Sequence, residues 1–263
     1  MNPTTEAISI ENTYPTSVNI LNVAIDNYSL QELLEKLKRG GVVYTPNVDH
    51  IIKLQKDRSF YHIYHQADYR VCDSQMLMLA SRFLGSPIRE KISGSDLFPA
   101  FYQYYSQDSS VRIFLLGGSE GAAKKAQEKI NRKVTRDIVI DTYCPPFGFE
   151  KDPAECAKII ELVNRSGATV LAVGVGAPKQ EKWIYEHKDR MPGVRTFFAV
   201  GATIEFEADY VPRAPKWMSS AGIEWLYRLL QEPGRLWKRY LLEDTPFFAM
   251  VVGQKLKSLL SKR

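Results

Sequence analysis

From Val18 to about Gly201 the chain alternates short, almost wholly apolar runs with amphipathic stretches, and this alternation restricts the fold more than any other feature. Strands that follow one another through helical crossovers lie parallel, and a parallel sheet is covered by helices on both faces. The runs Val42–Thr45, Tyr69–Cys72, Val111–Leu116, Ile138–Asp141, Thr169–Val173 and Thr196–Val200 are rich in Val, Ile, Leu and Phe, as strands buried on both faces require. Helices are expected over Leu30–Arg39, His50–Gln66, Ser74–Leu84, Asp96–Tyr105, Glu120–Lys133, Pro153–Arg165 and Lys179–Lys188. The first opens on a capping box, Ser29 with Glu32, and closes at Gly40-Gly41. The fold class is therefore α/β, a Rossmann-like parallel sheet flanked by helices.

After Ala208 the pattern changes to closely spaced helices punctuated by Pro212, Pro215, Pro233 and Pro246. Charge changes with it. Residues 1–210 hold 25 Lys/Arg against 26 Asp/Glu, whereas residues 211–263 hold ten against four, so the formal +5 comes from the tail. Trp217, Trp225 and Trp237, three of the four tryptophans, lie there too. We therefore divide the chain into an α/β core, 1–210, and a basic, aromatic-rich helical appendage, 211–263. Two readings of the appendage stand side by side. Lys and Arg mixed with Trp and Tyr suit an anionic membrane interface; a helical cap on the core with a solvated basic face has the same composition. The last helix opens at Asp244-Thr245-Pro246, a cap followed by a first-turn proline, with Phe248, Val252, Leu256, Leu259 and Leu260 on one face opposite Lys255, Lys257 and Lys262. No run approaches the ~20 apolar residues that span a bilayer, and the polar Met1–Thr16 segment lacks a signal-peptide layout. Cys72, Cys144 and Cys156 are too scattered for a disulfide framework or zinc site, and are expected to be small buried hydrophobes in a reducing compartment.

In open α/β sheets ligands bind beyond the carboxyl ends of the strands. The residues there are Thr45-Pro46-Asn47, Asp73-Ser74-Gln75, Gly117-Gly118-Ser119, Gly174 to Glu181 and Gly201-Ala202-Thr203. Gly117-Gly118 and Gly174-x-Gly176 are strand-to-helix turns that can aim backbone N–H groups at a diphosphate, or can simply be tight turns requiring positive φ. Neither fits a dinucleotide fingerprint or a phosphate loop. Asp73 reads as a general base projecting into the crevice or as the N-cap of the next helix. Glu205-Phe206-Glu207-Ala208-Asp209 reads as a solvated acidic loop, and the four histidines as surface or packing residues. No pattern supports nucleic-acid binding.

These strand-end residues, together with Lys91-Ile92-Ser93-Gly94-Ser95-Asp96, Gly176-Ala177-Pro178-Lys179-Gln180-Glu181, Arg213-Ala214-Pro215 and Glu224-Trp225-Leu226-Tyr227-Arg228-Leu229, occur in an order that resembles the WecG/TagA/CpsF glycosyltransferases over residues 18 to 242. The resemblance implies an inverting transferase that moves a sugar from a UDP-sugar to a sugar carried on a polyprenyl diphosphate, for cell-surface polysaccharide. It implies no metal or other cofactor, a cytoplasmic enzyme held peripherally on the inner face of the membrane by its appendage, and no nucleic-acid partner; a homo-oligomer is compatible with it. The family's catalytic base falls on Asp73 and its pocket residues on Thr45, Asn47 and Gln180. The diphosphate falls to Gly117 and Gly118 and to appendage cations, Arg228, Arg235 and Lys238 or Arg239. Lys91 stands where the family usually has arginine, and Glu205 where it usually has aspartate. The implied sugar is N-acetylmannosamine, its uronic acid or a glucose-type hexose. An adaptor that keeps the fold without activity is the alternative those two departures raise; a nucleotide-dependent oxidoreductase or epimerase would need the missing glycine fingerprint.

Overall fold

The computed structural model describes residues 14–215, 218, 224–231, 233–238 and 243–261, without the side chains of Glu224, Trp225, Arg228, Arg235 and Leu236. A short antiparallel hairpin, β1 (Ser17–Ile20) and β2 (Val23–Asp26), opens the described chain. Helix α1 (Leu30–Lys36) follows, and both halves of the Ser29/Glu32 capping box are formed. Six parallel strands make the main sheet: β3 (Gly41–Tyr44), β4 (Tyr69–Arg70), β5 (Ile113–Gly117), β6 (Val139–Tyr143), β7 (Val170–Gly174) and β8 (Thr196–Ala199). Their order is β4-β3-β8-β7-β5-β6. The α/β, Rossmann-like reading of the sequence is the fold observed.

Period-two alternation explains why β5 and β7 are apolar throughout. Phe114, Leu116, Leu171, Val173, Phe197 and Ala199 join one core layer, while Ile113, Leu115, Val170, Ala172, Phe198 and Val200 join the other. Each face is sealed by helices: α2 (Val48–Lys56), α3 (Arg58–His65), α4 (Gln75–Leu84), α5 (Gly94–Tyr104), α6 (Ala122–Val134), α7 (Pro153–Ser166), α8 (Lys179–His187) and α9 (Thr203–Glu207). The single helix expected over His50–Gln66 is two. Asp57 leaves helical geometry at φ −112°, ψ 100° and caps α3 by accepting from Phe60 N–H at 3.0 Å. Its other carboxylate oxygen pairs with Lys182 Nζ at 2.8 Å. An aspartate that can cap the next helix competes with continuing the first.

Two further expectations give way. The segment 205–209 is not a solvated loop: Glu205–Glu207 complete α9, and Ala208 is fully buried behind it. Cys72 and Cys156 are buried as expected, but Cys144 is exposed.

Beyond residue 215 the described elements are α10 (Glu224–Gln231), α11 (Pro233–Lys238) and α12 (Pro246–Leu260). Thr245 makes no side-chain cap, so the entry to α12 rests on Pro246 in its first turn and Phe247 N–H donating to Asp244 C=O. Helix α12 lies on the core. Phe247 and Val251 are buried, and Gln254 bridges to the hairpin, accepting from Leu21 N–H at 2.8 Å and donating to Asn19 C=O at 3.2 Å. The stripe Phe248, Val252, Leu256, Leu259 and Leu260 therefore faces outward. Among the described residues no helix is long and apolar enough to cross a membrane.

At the end of β5 the chain turns at Gly117, φ +112°, against the carbonyl of Gly174 on β7. A Cβ at Gly117 would overlap that carbonyl, and neither backbone can retreat from a ladder pair. Gly117→Ala is expected to cost at least ~1–3 kcal/mol, read as a lower urea midpoint with an unchanged slope.

Candidate active site

All six parallel strands end on one cleft of about 740 Å³. Thr45 and Asn47 come from the end of β3, Asp73 follows β4, and Gly117, Gly118 and Ser119 follow β5. Pro145 to Phe149 follow β6, Gly174 to Ala177 with Lys179 and Gln180 follow β7, and Ala199 to Glu205 follow β8. Gly94 and Ser95 open α5, and Glu243 reaches the cleft from the C-terminal region.

Asp73 is not a helix cap. Ser74 holds that position, its side chain accepting from Leu77 N–H, and Asp73 lines the cleft. Its backbone is fixed from two sides: Asp73 N–H donates to Pro46 C=O at 2.8 Å, and Ile92 N–H donates to Cys72 C=O at 2.7 Å. Burial pushes the adjacent Cys72 thiol up to about 12, which leaves it an inert packing group.

Asn47 caps α2, and Gln180 is buried at 4% exposure with its carboxamide oxygen accepting from Gly176 and Gly201 N–H. Lys91 lies beside the cleft rather than in its lining; its charge acts on Asp96 and Cys72. Burial alone would raise Asp96, but hydrogen bonds from Arg213 and Ser93, with the charges of Arg213 and Lys91, hold it below the usual range. Arg213 spans Ser95 C=O, Ser95 Oγ and Asp96 Oδ1 at 3.0, 3.2 and 2.6 Å. The Arg-Ala-Pro and Gly-Ser-Asp segments, 117 residues apart, are thus one clamp on the cleft wall.

The glycine turn after β5 has spent part of its donor set. Gly118 N–H donates to Gly174 C=O at 3.0 Å and Ser119 N–H to Glu205 Oε1 at 3.2 Å. Glu205 Oε2 is buried with no hydrogen-bond partner among the described residues, and burial raises the carboxyl. Four carboxylates, Asp49, Asp73, Glu205 and Glu243, line the cleft against two lysines, Lys53 and Lys179. Lys53 is held by Asp49 at 2.8 Å, and Lys179 sits 5.1 Å above the ring of Phe147, which is 99% exposed at the rim. Lys238 is exposed on α11 and is not part of the described lining. Arg228 and Arg235 lie on described helical backbone with undescribed side chains, and Arg239 lies outside the described residues. Among the described residues no group of three His, Cys, Asp or Glu side chains could hold a metal ion.

Sequence reasoning missed the β6 loop, His50 and Lys53, whereas Lys179 lies in the strand-end run Gly174 to Glu181 that it singled out. The loop was findable: ending that strand at Asp141 instead of Tyr143 hid Pro145–Phe149 from the strand-end rule. Lys53 and His50 carry no such signal, because they point at the cleft from inside a helix.

A doubly covered parallel sheet with an acidic, glycine-turned cleft beyond its strand ends is the ligand-binding architecture of open α/β proteins. Residues 18–260 match the glycosyl transferase WecG/TagA/CpsF family, and the chain belongs to that family: it is a glycosyltransferase. Among curated relatives it is similar to the N-acetylglucosaminyldiphosphoundecaprenol N-acetyl-beta-D-mannosaminyltransferase of Bacillus subtilis (strain 168), at 27% identity over 246 residues, covering 91% of this chain and 92% of the relative.

Because Glu205 is raised above the ordinary glutamate value of 4.5, its contribution to stability is fully present below 4.5 and lost as pH rises through the raised value. In Glu205→Gln that dependence disappears while the carboxamide oxygen can still accept from Ser119. Thermal melts of the ligand-free protein should therefore show the Tm of the variant gaining on wild type between pH 4 and pH 7, with the sign of the gain unaffected by moderate salt.

Proposed function

We propose that this enzyme transfers a sugar from a UDP-sugar, with inversion, to a sugar borne on a polyprenyl diphosphate at the inner face of the membrane, and that Asp73 is the general base. The observation that carries the reading is the carboxylate of Asp73 on the wall of the cleft into which all six strand ends feed. In a direct displacement Asp73 takes the proton of the acceptor hydroxyl as its oxygen attacks the anomeric carbon and UDP departs from the opposite face. The name of the Bacillus relative supports a lipid-diphosphate-linked N-acetylglucosamine as the acceptor and N-acetylmannosamine as the first donor sugar to try.

Electrostatics assigns the ends of the donor. A partly buried carboxylate beside a diphosphate would repel it, so Glu205 suits the hydroxyl and imide N–H donors of the nucleoside. Phe147 offers a flat exposed ring for the base. The diphosphate belongs near Lys53 and Lys179, and with the Gly118 and Ser119 amides engaged, cations of the appendage, Arg228, Arg235, Lys238 and Arg239, are its natural complement. Catalysis then depends on the appendage closing over the cleft.

Membrane attachment has a surface of its own. Leu79 and Phe83 of α4 are exposed beside the outward stripe of α12, and Lys255 lies 5.8 Å from the Phe83 ring. Exposed apolar side chains beside a lysine fit an anionic bilayer surface.

Asp73→Asn should leave folding and the UDP-induced rise in Tm intact while lowering kcat by ~10²–10⁴, measured by mass spectrometry of a synthetic lipid-diphosphate sugar incubated with a panel of UDP-sugars. Near-wild-type turnover would remove the base assignment, and no turnover by wild type with any UDP-sugar would remove the donor class. Leu256→Asp with Phe248→Asp deletes two exposed apolar groups, each contributing roughly 1.5–3 kcal/mol on full burial, so co-sedimentation with anionic vesicles should fall at least ~10-fold. Unchanged co-sedimentation would place the docking surface elsewhere.

A further inference from the structure

Along the cleft wall, Asn47, His50, Glu181 and Gln180 form one line, and the hydrogens in it are assigned by backbone donors at its two ends. At one end Asn47 Oδ1 accepts from His50 N–H at 3.2 Å. A backbone N–H can only donate, so that atom is the carboxamide oxygen. The same oxygen lies 2.8 Å from His50 Nδ1, which must therefore carry a hydrogen. At the other end Gln180 Oε1 accepts from Gly176 and Gly201 N–H at 3.2 and 3.1 Å, which fixes its Nε2 as the donor to Glu181 Oε1 at 2.9 Å.

Between the ends, His50 Nε2 faces Glu181 Oε1 at 3.5 Å, with the two side chains only 10% and 2% exposed. From α3 the ring meets Phe60 and Tyr64 at centroid distances of 6.4 and 5.9 Å, and these contacts with Glu181 hold the imidazole so that Nδ1 faces Asn47; from its own helix Asp49 and Lys53 are paired with each other. Tyr44 hydroxyl donates to the Glu181 backbone carbonyl, Glu181 Oε1 meets His50 and Gln180, and its Oε2 is buried without a hydrogen-bond partner among the described residues.

We infer that His50 is a positioning residue whose Nδ1 hydrogen holds Asn47 with its oxygen turned inward. Asn47 then has only its Nδ2 hydrogens to offer the cleft it lines. The ligand atom it meets is a hydrogen-bond acceptor: a phosphate, carbonyl or ring-substituent oxygen. This use of Asn47 rests on the cleft binding the UDP-sugar and acceptor as proposed above; the hydrogen on His50 Nδ1 does not.

Nitrogen-15 NMR of the full-length protein labelled at histidine tests the proton without substrate, the His50 signal among four being assigned by its absence in His50→Gln. The His50 Nδ1 should read as hydrogen-bearing, and a bare Nδ1 in the wild-type ring would overturn the assignment. Positioning is tested by a double-mutant cycle on the donor KM. Glutamine lacks the imidazole's Nδ1 beside Asn47, so His50→Gln should raise KM roughly 10-fold with kcat less affected. Added to Asn47→Ala it should raise KM no further. Additive effects would show that His50 does not act through Asn47. The ring spectrum stands independently of turnover, so a failure of the proposed reaction and a failure of this inference are told apart.

Discussion

Complete burial of the central strands β5, β7 and β8 governs the rest of the molecule. With alternate side chains consumed by two core layers, nothing polar is carried within β5 or β7, and the groups able to do chemistry are displaced to the loops beyond their carboxyl ends. The result is a cleft whose walls come from sequence positions as distant as Thr45 and Glu243. The close approach of Gly117 to the Gly174 carbonyl belongs to the same constraint: two adjacent strands end in register, and only hydrogen side chains leave room for their turns to diverge.

The cleft so formed is better suited to a neutral sugar and a nucleoside than to a diphosphate. Its described lining has more carboxylates than lysines, and one lysine is tied to Asp49. Glycine turns are natural anion cradles, but here one amide serves the strand partner and the next serves Glu205. An anionic leaving group bound in such a place needs charge brought from outside the sheet, and the sequence stores its excess of Lys and Arg in residues 211–263. The charge asymmetry along the chain and the acidity of the cleft are complementary parts of one electrostatic arrangement.

Much of this was legible in the sequence because it rests on local rules. Apolar runs separated by amphipathic stretches define the sheet, Ser29 and Glu32 define the start of α1, and the strand-end rule leads to Thr45, Asn47 and Asp73. What escaped depended on competition between local options. Asp57 could continue a helix or cap the next, and only its partner Lys182, 125 residues away, favours the cap. Asp73 and Ser74 could each cap α4, and serine holds the cap while Asp73 lines the cleft. The tertiary pairing of Arg213 with Asp96 and of His50 with Glu181 has no signature in spacing at all.

Helix α4 connects the chemistry to the surface proposed for lipid. It begins two residues after Asp73, and its ten residues rise about 15 Å at 1.5 Å each. Leu79, its fifth residue, and Phe83, its ninth, are exposed, and α12 sets its own outward stripe beside them. An acceptor anchored by a polyprenyl tail is confined to the bilayer surface, so its reactive hydroxyl can meet a base only within a diphosphate and a sugar of that surface. The proposed base at one end of a short helix and an apolar patch farther along it would satisfy that distance with a rigid element, whereas a loop would add its own entropy to the encounter. On that proposal, tilting the patch on a bilayer would also tilt the cleft, so that attachment and alignment would be a single event.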